Sequence, residues 1–112
     1  MRIAIALNSK NLAKEISEVF ARSTLFAIVE IKDSEIIKTE IIENQVVSQL
    51  GQAGIAAAQL ITETGASVVI TNNIGPRALD VLRQFKIKVY SGKGSAEDLL
   101  SDFIKGKLKE VK

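Results

Sequence analysis

Two short polar segments carry the side chains of this chain that are best suited to bind an anion. One, which follows an apolar run, consists of Asn8, Ser9, Lys10 and Asn11. The other, TNNIGPR at 71–77, follows a second apolar run. Amides, cationic side chains and the backbone N–H groups of a helix start are donors for an anionic ligand. The same residue types are common in turns, where they satisfy backbone groups and tolerate left-handed geometry, so both interpretations fit.

The chain lacks the side chains on which most catalysis and metal binding depend. It contains no Cys and no His, which excludes a thiolate nucleophile, an imidazole base, a zinc site of the usual kind and a cysteine-held iron–sulfur cluster. Carboxylates could still hold Mg²⁺ or Ca²⁺. The first apolar run has no acidic residue, so a two-metal nuclease is not expected either. We therefore predict a non-enzymatic protein with no catalytic residue and no metal-ligating residue.

Length and composition indicate one globular domain. The chain has 112 residues, of which 46% are hydrophobic and 25% charged, so we predict a single domain over 1–112. The formal net charge of +2 does not indicate nucleic-acid binding. No apolar run approaches the roughly 18 residues of a membrane span. The N-terminal apolar run, Ile3 to Leu7, is short and has no cleavage pattern after it, so a cytoplasmic location is expected.

The first part of the chain predicts a strand followed by a helix. The apolar residues over 1–7 suit a central strand that is buried on both faces. Over 12–20, apolar residues then recur at i, i+4, i+7 and i+8. This spacing of Leu12, Ile16, Val19 and Phe20 is typical of a short amphipathic helix.

A β-hairpin is predicted next. The apolar stretch over 25–31 is rich in strand-forming residues, 32–35 (KDSE) has turn chemistry, and 36–42 (IIKTEII) reads as the returning strand. Lys38 and Glu40 fall on one face of that returning strand. We therefore expect it to be an exposed edge of the sheet.

An Ala-rich helix and a further strand follow. After a predicted loop over 45–49, residues 51–64 have high helix propensity and end at Gly65, a natural residue to follow a helix C-terminus. The next strand is expected over 66–71. The alanines allow this helix to lie close to a sheet.

The last part of the chain predicts two helices around one strand. Pro76 occupies a first helical position, where its missing N–H does no harm, and 87–92 is a short strand. Ser95 caps the last helix with Asp98 three residues further on. The buried face of that helix is predicted to consist of Leu99, Leu100, Phe103, Ile104 and Leu108. The lysines at the C-terminus fit a frayed, solvated helix end or, alternatively, a phosphate-binding tail.

These elements predict an α/β fold with one mixed sheet. Right-handed crossovers place the fourth and fifth strands on one side of the first strand, parallel to it, and the hairpin extends the other side. We therefore expect five strands in the order 3-2-1-4-5 with helices on both faces, the ribonuclease-H-like arrangement. The first and fourth strands would then be neighbours that the chain leaves in different directions. Open α/β sheets bind ligands at such switch points, so we expect the two polar segments to bound one crevice.

Three stretches of the chain resemble the dinitrogenase iron–molybdenum cofactor biosynthesis family. They are MRIAIALNSKNLAKEISEVFARSTLFAIVE, AGIAAAQLITETGASVVITNNIGPRALDVL and IKVYSGKGSAEDLL. The most specific part is A-G-I-x-A-A-Q-L at a helix start, followed later by I-G-P-x-A. The resemblance implies the ribonuclease-H-like fold and a protein that binds metallocofactors or their precursors rather than one that catalyses a reaction.

Two segments depart from the motifs of that family. Where members often carry S-E-H-F-G-R, this chain has SEVFAR at 17–22, and the family's H-G-A-G becomes GQAG at 51–54. Imidazole ligation of iron or molybdenum is therefore not carried over. Arg22 and the glycines of the helix starts remain to hold an anion. Alternatively, Arg22 pairs with Glu18 one helical turn earlier, and 51–54 is simply a helix start that packs closely on the sheet.

The sequence thus predicts a binding or carrier domain for a small anionic ligand or a metallocofactor precursor. The predicted ligand-binding residues are Asn8, Ser9, Lys10, Asn11, Arg22, Gly51, Gln52, Gly54, Asn72, Asn73, Gly75 and Arg77. The alternative is a protein-interaction or homodimerisation domain that uses the edge strand over 36–42. Neither a nucleic acid nor a membrane is a predicted partner, and hydrolytic activity is a remote third hypothesis.

Overall fold

The computed structural model describes residues 1–45 and 52–112. Most of the predicted loop over 45–49 and Gly51 of the predicted site therefore lie outside the described residues. Within them, the elements are β1 (Arg2–Leu7), a 3₁₀ helix (Phe20–Arg22), β2 (Leu25–Lys32), β3 (Glu35–Glu43), α1 (Ala53–Glu63), β4 (Val68–Thr71), α2 (Pro76–Gln84), β5 (Lys88–Ser91), α3 (Ala96–Ile104) and β6 (Lys109–Glu110). None of the helices in this part of the chain is long and apolar enough to cross a bilayer.

The strands form one mixed sheet in the order β3-β2-β1-β4-β5-β6. β1 pairs antiparallel with β2 and parallel with β4, and β4 pairs parallel with β5. The predicted single α/β domain and the order of the first five strands are confirmed. The predicted count of five strands is wrong, because β6 adds a sixth strand beside β5.

β1 is buried on both faces, as its continuous apolar sequence predicted. Ile3, Ile5 and Leu7 pack in a cluster with α3, while Ala4 and Ala6 pack in a second cluster with α1 and α2. A fully buried aliphatic side chain contributes about 1.5–3 kcal/mol relative to an exposed one, so this strand anchors both layers. Its small residues face the alanines of α1, which allows that helix to approach the sheet closely.

The predicted β-hairpin forms with a two-residue turn. Asp33 and Ser34 both have positive φ, 53° and 66°, which matches the twist that hairpin strands require. One residue of β3, Ile37, is a bulge, since Glu30 stands opposite Lys38 and the next residue of β2 stands opposite Ile36. β3 is an edge of the sheet and is exposed over most of its length, as predicted.

The predicted amphipathic helix over 12–20 is wrong. Ile16 and Phe20 are buried as expected, but Val19 is 37% exposed, and the chain is extended rather than helical at that residue. The backbone N–H of Ser17 donates to the carbonyl of Ala6 at 3.0 Å, and Val19 forms a parallel bridge with Asn73. Tertiary backbone partners have replaced the local helical hydrogen bonds.

The C-terminal segment also differs from the prediction of a continuous, frayed helix. α3 ends at Ile104, and Gly106 turns the chain with a φ of 74°. Leu108 therefore packs from outside the helix, against the same cluster as α3. The following residues return to the sheet, where the Val111 N–H donates to the Val89 carbonyl at 2.7 Å.

Replacing the N-cap residue of α3 tests whether its side chain stabilises the start of this helix. The Ser95 hydroxyl accepts from the Asp98 N–H at 3.1 Å, so Ser95→Ala is expected to lower the free energy of unfolding by about 1 kcal/mol in urea titrations. Ser101→Ala, within the same helix, is the control, with an expected change within about 0.5 kcal/mol. Equal losses in both variants would contradict the cap.

Candidate functional site

The two predicted polar segments leave the sheet at the same end, beyond the carboxyl ends of β1 and β4. β1 and β4 are parallel neighbours with Ile5 opposite Ile70, so their carboxyl ends meet there. The segment over 16–20, in which Val19 is extended and Phe20 begins the 3₁₀ helix, lies across both ends. Besides the bond to β1, the Asn73 N–H donates to the Glu18 carbonyl at 3.1 Å, and the Phe20 N–H donates to the Asn73 carbonyl at 2.8 Å. This segment therefore separates the polar loop after β1 from the helix starts beyond it.

The loop after β1 uses its polar side chains in turn contacts. The Asn8 carbonyl oxygen Oδ1 accepts from the Thr24 N–H at 3.1 Å, and the Ser9 hydroxyl accepts from the Asn11 N–H at 3.1 Å. Asn11 Oδ1 in turn accepts from the N–H two residues on, at 3.0 Å. Lys10 is exposed. Turn chemistry, the simpler of the two readings of this segment, explains its sequence well.

The segment after β4 binds the segment over 16–20 that lies across the ends of β1 and β4. The Asn73 side-chain amide donates to the Glu18 carbonyl at 3.0 Å, which adds to the backbone bonds at the same position. Asn72 is half-buried. Thr71 is fully buried, and within the described part of the chain its hydroxyl oxygen has no hydrogen-bond partner. A buried hydroxyl in that state lowers stability.

A cavity of about 220 Å³ lies where α1 and α2 begin. Four of the predicted site residues line it: Gln52, Gly54, Gly75 and Arg77. Its other described lining residues are Ala21, Ile55, Pro76 and Ala78. The predicted residues Asn8, Ser9, Lys10, Asn11, Arg22, Asn72 and Asn73 are not part of this described lining.

Both helix N-termini at the cavity lack a side-chain cap. Gln52 is the N-cap residue of α1 and Gly75 that of α2, and neither makes a capping side-chain bond. Neither first turn contains an acidic residue. The N–H groups of a first helical turn have no intrahelical acceptor and carry the positive end of the helix dipole. Two such ends beside one cavity favour an anionic occupant.

Small residues bring the two helix starts together. A side chain at Gly54 would place its Cβ 3.4 Å from the Ala78 Cβ and 3.5 Å from the Ala21 Cβ. A Cβ at Gly54 would thus make van der Waals contact with both alanines, and a longer side chain there would fill the space between the helix starts. This explains the short side chains at the helix starts, which the sequence alone presented as simple close packing.

Two arginines supply positive charge in or near the cavity. Arg77 lines the cavity, and Arg22, exposed, follows a lining residue in sequence. The one ion pair found between described residues joins Arg2 and Glu30 at 3.8 Å. The alternative pairing of Arg22 with Glu18 is therefore not formed, because Glu18 lies in the extended segment and not one helical turn before Arg22.

The donor set does not suit direct ligation of a transition metal. The chain has no Cys or His, and within the described residues no three acidic side chains come together in a group that could hold a metal ion. Uncapped N–H groups and a guanidinium instead suit the anionic outer atoms of an oxyanion or a cluster.

Comparison with known proteins identifies the family. The sequence profile for "Dinitrogenase iron-molybdenum cofactor" matches residues 1–106. The chain belongs to the dinitrogenase iron-molybdenum cofactor family. The resemblance noted in the sequence is thereby confirmed, and the matched region covers both walls of the cavity.

Relatives share this family member's length and fold. An uncharacterised protein of Methanocaldococcus jannaschii is 35% identical over 111 residues, covering 98% of this chain and 91% of the relative. The apo form of the orange protein of Desulfovibrio gigas superposes with a TM-score of 0.90 at 26% identity, covering 98% and 92% of the two chains. A Thermotoga protein assigned as a NifB candidate superposes with a TM-score of 0.81 at 27% identity, covering 97% and 91%.

Sequence reasoning missed the apolar part of the lining. The sequence predicts Pro76 only as a first helical residue, and Ile55 belongs to the A-G-I helix start that carries the family resemblance. The sequence does show a glycine at the start of each of these two helices, and this shared feature could have suggested that the two helix starts lie together. Their proximity, however, depends on contacts between residues far apart in sequence.

The Thr71 hydroxyl, which has no hydrogen-bond partner among the described residues, leads to a prediction about stability. Thr71→Val replaces it with a methyl group of similar size, so the free energy of unfolding should rise by about 1 kcal/mol. Thr64→Val is the matched control, since the Thr64 hydroxyl donates to the Ile61 carbonyl at 2.7 Å and that bond would be lost. Denaturant melts of both variants measure the difference. A loss of stability in Thr71→Val would mean that the hydroxyl has a partner.

Proposed function

We propose that this family member is a non-enzymatic binding or carrier domain that holds a small anion or an anionic metallocofactor precursor between the starts of α1 and α2. The observation that carries the proposal is the convergence of two uncapped helix N-termini and Arg77 on one cavity. Membership of the iron-molybdenum cofactor family supports it. So does the description of the Desulfovibrio gigas protein in an apo form, because a protein with an apo form is one that takes up a bound group.

The chemistry of the cavity favours reversible, outer-sphere binding. With no thiolate or imidazole in the chain, a metal-containing ligand would be held through its own anionic atoms, as cargo. Such atoms would accept from the free N–H groups and from the Arg77 guanidinium. A volume of about 220 Å³ is below the usual range of about 300–1,000 Å³ for drug-sized ligands, which favours an oxyanion or a compact cluster over a nucleotide.

The other predicted site residues take outer positions in this proposal. Arg22 adjoins a lining residue in sequence and would act at the rim. Gly51 lies outside the described residues and stays a predicted site residue. The residues over 8–11, with Asn72 and Asn73, would act by holding the loops that position the two helix starts. The proposal also keeps the ribonuclease-H-like description of the sheet, which the order of β3, β2, β1, β4 and β5 supports.

Removing the arginine of the cavity tests where the anion binds. In thermal melts with molybdate or phosphate, a ligand present at about 100 times its dissociation constant should stabilise the protein by about 2.7 kcal/mol. Arg77→Ala is expected to weaken this binding about tenfold, because a charge-assisted hydrogen bond is lost. Arg83→Ala, which removes an exposed arginine from the other end of the same helix, should leave the affinity unchanged.

Two results would contradict the site or the function. Equal weakening by Arg83→Ala would mean that molybdate is held by general surface charge. A metal-free, colourless protein from cells grown with iron and molybdate, together with melts that neither anion changes, would contradict the carrier role. Elemental analysis and an absorption spectrum of the purified protein supply that second measurement.

A substitution at the N-cap of α2 separates anion binding from folding. Gly75 has an ordinary extended backbone, with φ −74° and ψ 161°, and a Cβ there would meet nothing within 4 Å. Gly75→Asp should therefore fold at least as stably, because Asp is a favourable cap, while its carboxylate competes for the N–H groups and repels an anion. Gly75→Ala adds the Cβ alone.

The expected result is a melt in which molybdate no longer stabilises Gly75→Asp but still stabilises Gly75→Ala. Unchanged stabilisation of the Asp variant would mean that the anion binds elsewhere. Loss of stabilisation in both variants would mean that steric space at Gly75, and not charge, controls binding.

A further inference from the structure

The outer edge of β3 presents a long strand to solvent. It spans Glu35–Glu43, and its outer side has no neighbouring strand among the described residues. Two adjacent large apolar side chains lie on it, Ile36 at 49% exposure and Ile37 at 56%. An exposed edge strand carries N–H and C=O groups that can pair with another chain.

The sequence of β3 is nearly symmetric about its centre. Read in either direction from Thr39, the strand continues with one charged residue of opposite sign on each side, Lys38 and Glu40. Two isoleucines follow on each side, and the strand ends in Glu35 and Glu43. In an antiparallel pair of two identical strands, a two-fold axis through Thr39 places Lys38 of each copy opposite Glu40 of the other. Directly opposite side chains of opposite charge stabilise a strand pair, whereas like charges destabilise it.

We propose that β3 pairs with β3 of a second copy of this chain, antiparallel and with the two-fold axis at Thr39. The two six-stranded sheets then become one continuous sheet, held by main-chain hydrogen bonds, two Lys38–Glu40 ion pairs and apolar contacts between Ile37 and Ile41. An isologous contact of this kind closes after two copies and does not form a fibre.

Backbone geometry and charge together select this register. Beyond the bulge at Ile37, only alternate residues of β3 direct their N–H and C=O groups outward, so a two-fold axis must pass through a residue and not between two. An axis at Glu40 would place Glu40 opposite itself. An axis at Ile41 would place Glu40 opposite Ile42, without a cation. The axis at Thr39 is the register that places Lys38 opposite Glu40 twice. Because the bulge interrupts the alternation at Ile37, this ladder ends at Ile37 and Ile41, and Glu35 and Glu43 lie beyond it.

The contact is expected to be weak and to leave the cavity accessible. A single pair of edge strands buries less surface than a standard protein interface, which places it among transient contacts. β2 separates β3 from β1 in the sheet order, and no residue of β3 is among the described residues that line the cavity. Dimerisation is therefore expected to leave anion binding unchanged.

Charge exchange between two variants tests this register directly. Lys38→Glu places Glu opposite Glu40 twice in a homodimer, and Glu40→Lys places Lys opposite Lys38 twice. Each variant alone should have a dimer dissociation constant at least about tenfold higher than the parent. An equal mixture of the two should recover dimers, since every facing pair is then Glu with Lys. The double variant K38E/E40K should recover dimers by itself.

Sedimentation velocity over a range of concentrations measures the outcome, with a dimer at twice the 12.1 kDa of one chain. Glu63→Lys and Lys107→Glu, which exchange exposed charges outside β3, are the matched controls and should dimerise like the parent. A parent that stays monomeric to millimolar concentration overturns the proposal. So do dimers that are unaffected by the single variants, or a mixture that does not recover.

Discussion

The structure depends on one extended segment that crosses the ends of β1 and β4. Its hydrogen bonds to the Ala6 carbonyl and to both backbone groups of Asn73 join the two strand ends at the point where the chain leaves them in different directions. The backbone groups of Ser17, Glu18 and Phe20 use these tertiary partners in place of helical ones, so the helix that the apolar spacing would permit is not formed. Because the segment occupies the switch point itself, the accessible space lies beyond it, at the helix starts.

Small residues then determine the shape and the lining of the cavity at the helix starts. Gly54, Ala21 and Ala78 meet at close distance, and the buried alanines of α1 let the helix lie low on β1. Two helix N-termini consequently open side by side with no capping side chain and no acid. An ordinary helix start would have its N–H groups capped by Ser, Thr, Asp or Asn, as α3 has with Ser95. The contrast between α3 and the other two helices is the physical basis for proposing that the cavity binds an anion.

The two outer strands of the sheet, β3 and β6, differ in length and exposure. On one side, the short β6 covers β5, and the chain returns there after α3 through a positive-φ turn at Gly106. On the other side, β3 is long and exposed, and Lys38 and Glu40 flank its centre beside isoleucines. Charged residues on an edge strand discourage indiscriminate pairing, but a cation and an anion on the two sides of Thr39 permit one self-complementary register. The same side chains can therefore limit aggregation and select a partner.

The sequence by itself determined the kinds of element and the kinds of chemistry. Continuous apolar runs marked β1 and β4, Asp33 and Ser34 marked the hairpin turn, and Ser95 and Gly65 marked helix ends, because these signals depend on neighbours in the chain. The absence of Cys and His limited any bound metal to contacts that other donors can make. Only the tertiary structure decided the path of 16–20, the pairing of β6, and the meeting of Gln52 and Gly54 with Gly75 and Arg77. Each of these depends on hydrogen bonds or packing between residues distant in sequence, and local spacing carries no information about such contacts.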